Sequence, residues 1–247
     1  MSRLTKAAFC GWAIVVAPFS SAASLNQIPV NQSDLVEPNL FGPTQVFPDA
    51  PAFNSMILSD FNGGGGELTE IDSVITFSHD VANQVQGFRV SVFSSASAAQ
   101  LSGVGLQGGA LHTIDVSPSD VSWTVLTETK SNGADTRLYQ IPLPHWSTTT
   151  DVNWIGVAPI LVGGTGFHQS FGLVALNPAV VSTGGGILNN DVAVNPGGGF
   201  PFTFPRLIDG QNANAAYRLT VVPEPSCLFL CAVVVPLFVK RARAPRT

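Results

Sequence analysis

Apolar residues recur at every second position in a series of short runs, and this pattern restricts the chain to β-structure. In Phe88–Phe93, Phe88, Val90 and Val92 fall on one side of an extended backbone while Arg89 and Ser91 fall on the other. Ile71, Ser73, Ile75 and Phe77 share a face in the same way, as do Val121, Trp123 and Val125. Leu138 and Gln140 alternate with Tyr139 and Ile141. Val152–Val157, Phe171–Leu176 and Tyr217–Val222 complete the strong set, and Leu111–Val116 is a weaker member. No segment carries a sustained helical stripe.

Turn chemistry separates these runs. Ser131-Asn132-Gly133-Ala134-Asp135 predicts a hairpin, because Asn-Gly readily adopts the positive φ angles of a tight turn. Asn62-Gly63-Gly64-Gly65-Gly66, Gly184-Gly185-Gly186 and Gly197-Gly198-Gly199 mark further loops. With 24 Gly, 18 Pro and only 11% charged residues, the composition suits many short strands rather than long helices. The expected fold is all-β, a β-sandwich of jelly-roll type over residues 54–222. Residues 24–53, rich in Pro, Asn and Gln, read as an extended N-terminal segment with an edge strand near Thr44–Phe47.

The two ends have a different character. Arg3 and Lys6 precede an apolar run from Ala7 to Phe19, and Ser20-Ser21-Ala22-Ala23 then supplies small residues. That is the layout of a secretory signal peptide over residues 1–23, cleaved by signal peptidase between Ala23 and Ser24, with Ala22 as the alternative site. At the other end, Pro223-Glu224-Pro225 leads into an apolar run from Cys227 to Val239, closed by Lys240, Arg241, Arg243 and Arg246.

This order of tripeptide, apolar segment and basic tail over residues 223–247 resembles the PEP-CTERM sorting signal of bacterial exported proteins. The resemblance implies processing at Pro223, Glu224 and Pro225 by an exosortase, a membrane-embedded cysteine transpeptidase. It also implies a single short C-terminal transmembrane helix. Thirteen residues span about 20 Å as helix, against a bilayer core of about 30 Å, and Pro236 lies inside the run. So short a span anchors weakly, as suits a removable tag. The basic residues at both ends favour the cytoplasmic side, which leaves the body outside the inner membrane. The stretches Asp60-Phe61, Gly87–Val92 and Asn153–Val157 loosely resemble β-sandwich ectodomains found ahead of such tags.

Cysteine usage follows the same division. Cys10, Cys227 and Cys231 all lie in the terminal segments, so the body has no disulfide available. Between Ser24 and Val222 five basic residues face fifteen acidic ones, a net charge of −10. Such a surface excludes nucleic acid as a partner, because phosphate binding needs clustered Lys and Arg.

Candidate chemistry is sparse. His79, His112, His145 and His168 form no close pair of metal-ligand spacing and read as solvated loop or strand-end residues. Asp60, Glu67, Glu70 and Asp72 gather around the four-glycine loop; they read first as a solvated acidic loop, with a structural calcium ion as the alternative. No other cofactor is expected. The sequence has no Gly-x-Ser-x-Gly elbow, and the body lacks a cysteine nucleophile. Gly163-Gly164-Thr165-Gly166 and Gly103-Val104-Gly105 lack the strand–helix setting of a dinucleotide site. Of the body's tryptophans, Trp123 and Trp154 sit in strand patterns and are expected in the core. Trp146 follows two prolines, is expected on a loop, and is the candidate platform for a sugar ring. The resulting expectation is an exported, non-catalytic surface or extracellular-matrix protein. A carbohydrate-binding module of the exopolysaccharide layer is the alternative, and a secreted hydrolase the second alternative.

Overall fold

The computed structural model describes residues 23–26, 42–77, 84–127, 136–162, 170–172, 174–176, 181–182, 192–199, 206–207 and 213–222. The segments expected to be the signal-peptide core, the 223–247 sorting tag and the 131–135 hairpin turn, together with the 163–166 and 184–186 glycine runs, His79 and His168, lie outside these residues. In chain order the strands are β1 (Ala23–Asn26), β2 (Gly42–Pro43), β3 (Met56–Asn62), β4 (Glu67–Phe77), β5 (Val85–Phe93), β6 (His112–Val116), β7 (Ser122–Thr127), β8 (Thr136–Ser147), β9 (Val152–Leu161), β10 (Ser170–Gly172), β11 (Val174–Leu176), β12 (Val181–Ser182), β13 (Val192–Val194), β14 (Arg206–Leu207), β15 (Ala213–Ala215) and β16 (Tyr217–Val222). The one α-helix among the described residues is α1 (Ala96–Gln100), which Ser95 caps by accepting from the Ala98 amide. None of the described helices is long and apolar enough to cross a membrane.

Two antiparallel sheets carry the fold, which is all-β and sandwich-like. In the first, β12, β1, β16 and β4 lie side by side; β8 then β7 continue beyond β4, and β10 with β2 joins the far end of β4. The second runs β14-β13-β3-β9-β5-β6, and β11 pairs separately with β15. The main core lies between the sheets. Ile71, Ile75, Tyr139, Ile141 and Leu219 from the first meet Ile57, Phe61, Phe88, Val90, Ile155 and Val157 from the second. Of the alternating residues seen in the sequence, Ile71, Ile75, Tyr139, Ile141, Phe88, Val90 and Val92 lie in this core.

Tyr217 ties the layers together. From β16 its hydroxyl crosses the core, donates to the Ile57 carbonyl at 2.9 Å and accepts from the Val157 amide at 3.3 Å. The ring buries apolar area while the hydroxyl satisfies two buried backbone groups of the opposite sheet.

The structure extends and corrects several expectations. Strand β3 lacks a marked alternation because both of its faces are covered. Ile57 and Phe61 face the main core, whereas Met56 and Leu58 join a second cluster with Phe93, Leu106 and Val194. The Thr44–Phe47 edge strand is instead two isolated bridges, Gln45 to Ser55 and Val46 to Ile160, with Val46 and Phe47 buried. Phe171–Leu176 is two short strands rather than one, β10 pairing with β4 and β2, and β11 with β15. Within the 24–53 segment, β1 pairs with β16 and β2 pairs with β10 in the first sheet.

Candidate functional site

The described residues converge on one pole of the sandwich. There β3 passes into β4 through the glycine loop, where Gly64 and Gly65 have φ of 63° and 80°, values that favour glycine. The last residue of β16 also lies here. A Cβ on Gly66 would sit 2.6 Å from the Val222 carbonyl oxygen, so only glycine permits this approach.

Strand β8 reaches the same pole through a wide bulge. Pro142 lies opposite Glu70 and Trp146 opposite Leu68, so Leu143, Pro144 and His145 all face Thr69. His145 occupies the left-handed region at φ 51°, and its Nδ1 donates to Glu67 Oε2 at 3.0 Å. The bulge turns Trp146 inward, where it is 8% exposed and part of the main core. The His112 ring stacks on the indole with centroids 5.2 Å apart and planes 11° from parallel, and His112 Nε2 donates to the Ser147 carbonyl at 3.2 Å.

Beside this stack lies a cavity of about 220 Å³. Phe61, Leu68, Val92 and Trp146 form its apolar walls, and Leu111 stands at its rim, 49% exposed. Polar groups come from His112, Ser147, Thr148, Thr149 and Asn153. Asn153 is 4% exposed, and its amide nitrogen donates to Thr149 Oγ1 at 3.1 Å and to the Asp151 carbonyl at 3.0 Å. Its Oδ1 has no partner among the described residues.

Trp146 is therefore not an exposed loop platform. It is a core residue on a strand, because the bulge reverses the outward course implied by the preceding prolines. The exposed tryptophan is Trp123, at 52%, on β7. It lies opposite Tyr139 at the edge of the first sheet, and the Arg137 guanidinium stands 4.3 Å from its ring centre. Trp154 is half-buried on β9.

The four carboxylates are not brought together. Asp60 is buried on β3 in the second sheet, opposite Trp154. Glu67 engages His145. Asp72 is buried on β4 and pairs with Arg218 of β16, and Glu70 lies near it on the same strand. Burial pushes the Asp72 carboxyl above its ordinary pKa, Arg218 pulls it down, and Glu70 pushes it up. Among the described residues no group of three His, Cys, Asp or Glu is placed to hold a metal ion.

Sequence reasoning did not single out the cavity. Its polar rim follows a run of hydroxyls, Thr148-Thr149-Thr150, between two strands, with Asn153 just beyond; that concentration was the available signal.

The expected signal-cleavage residues lie at this pole too. Ala23 and Ser24 begin β1, with Ala23 opposite Val221 and Ser24 opposite Thr220. Pro223, Glu224, Pro225 and the basic cluster Lys240, Arg241, Arg243 and Arg246 fall outside the described residues. The sequence matches no protein-family model and no curated protein.

Proposed function

We propose that the chain is an exported, non-catalytic cell-surface or extracellular-matrix protein, made as a precursor with two removable ends and sorted by an exosortase-type system. The observation that carries this reading is the pairing of β1 with β16. The expected signal-peptidase site between Ala23 and Ser24 lies at the start of β1 and the expected processing motif begins at Pro223, just past the end of β16, and after cleavage Ser24 stays opposite Thr220. The basic residues at each end of the sequence support a body outside the inner membrane. The strand order supports a jelly-roll type of sandwich, since β3–β4, β6–β7 and β8–β9 each pass from one sheet to the other.

The non-catalytic reading is supported by the engagement of the described histidines. His112 is stacked on Trp146 and His145 is paired with Glu67, and the Nε2 of His112 is spent on the Ser147 carbonyl. The test is Glu224→Ala. The reading predicts that the variant precursor stays in the inner membrane while the wild type is released or displayed. Normal processing of the variant would make Pro223–Pro225 an incidental linker.

A further inference from the structure

We infer that the cavity beside Trp146 is a binding site for a small, single-ring, mostly apolar molecule carrying one hydrogen-bond donor, of which phenol is the simplest representative. Size sets the first limit. About 220 Å³ lies below the roughly 300–1,000 Å³ of pockets that take drug-sized ligands. Chemistry sets the second. The walls from Phe61, Leu68, Val92 and Trp146 are apolar and offer nothing to most of the hydroxyls of a sugar, which would enter desolvated and unpaired.

One acceptor does wait in the cavity lining. Asn153 is 4% exposed, and both hydrogen bonds from its amide nitrogen are spent on the Thr149–Asp151 turn. That fixes the orientation of the side chain and leaves Oδ1 as a positioned acceptor, open to solvent and with no partner among the described residues. A ligand with an apolar ring and one O–H or N–H satisfies Oδ1 and fills the remaining space against the walls.

The site is also built rather than incidental. The bulge that places Trp146 holds His145 at a positive φ, stabilised by the contact with Glu67, and His112 braces the outer indole face by stacking. A ligand meets a tryptophan whose position is already set, which lowers the ordering cost of binding.

The test is calorimetric titration of the exported protein with phenol, toluene and glucose, followed in parallel by NMR of the Trp146 indole N–H and the His112 ring. Phenol is expected to bind saturably at one site and to shift both signals. Toluene has nearly the same shape without the donor, and is expected to bind about tenfold more weakly because Asn153 Oδ1 stays unpaired. Glucose is expected to give neither heat nor shift. Leu111→Trp changes an exposed rim residue, so the fold is retained, and it is expected to abolish phenol binding by closing the mouth. Absence of saturable phenol binding, equal affinity for toluene, glucose binding that shifts Trp146, or phenol binding unchanged in Leu111→Trp would each overturn the inference.

Discussion

Ala23 lies directly opposite Val221 in the antiparallel pair of β1 and β16. The strand that contains the expected N-terminus of the mature chain, Ser24, is thus a neighbour of the strand that ends beside the expected sorting motif. Because Leu25 and Asn26 also pair with Ser182 and Val181 of β12, this half of β1 is interior, and the Leu25 amide faces one ladder or the other. Leu25→Pro removes one such donor, worth about 0.5–1.5 kcal/mol. At about 2–4 °C per kcal/mol for a domain of this size, the unfolding midpoint should fall by a few degrees. An unchanged midpoint would show that β1 contributes nothing to the body.

The tie made by Tyr217 predicts a larger effect from a smaller change. Tyr217→Phe keeps the ring but strips the Ile57 carbonyl and Val157 amide of their shared partner. Leaving buried backbone groups unsatisfied costs about 1–3 kcal/mol, measurable as a lower denaturant midpoint. An unaltered midpoint would mean that the cross-core hydroxyl does not hold the sheets.

Trp146 separates a packing role from a surface one. A tryptophan 8% exposed in the main core should lose about 3–5 kcal/mol on replacement by Ala. An exposed sugar platform would lose far less and would give up polysaccharide retention instead. Comparing chemical denaturation of the two proteins decides between them.

The raised Asp72 pKa predicts a pH dependence of definite sign. The folded state holds its proton to higher pH than the unfolded chain does, because burial outweighs the pull of Arg218. Asp72 therefore contributes most below the ordinary carboxylate pKa, and that contribution is lost as pH rises through the raised value. The stability advantage of the wild type over Asp72→Asn should shrink with rising pH across that window. An advantage that grows with pH would contradict this assignment.

The sequence made some elements plain and hid others for identifiable reasons. Phe88, Val90 and Val92 alternate with Arg89 and Ser91 because β5 buries one face in the main core, while Arg89 reaches out to Asp115 at 2.7 Å. Strand β3 hid because Met56 and Leu58 are buried on one face while Ile57 and Phe61 are buried on the other, which erases the period of two. β1 and β2 hid because two to four residues carry too little pattern, and long-range pairing alone defines them. Trp123 and Trp146 exchanged their expected roles because an edge-strand position and a bulge, neither encoded in local periodicity, decide which ring meets solvent. The cavity depends on β3, β4, β5, β8 and β9 meeting at one pole, a coincidence of topology that no single segment announces.

The central claim is that a single β-sandwich body is exported and trimmed at both ends. The intact mass of the protein recovered from the cell surface or medium tests it most directly. The account predicts a chain beginning at Ser24 and lacking the residues beyond the Pro223–Pro225 motif, plus the mass of whatever group replaces them. A protein retaining Met1 or the Lys240–Arg246 tail would contradict it.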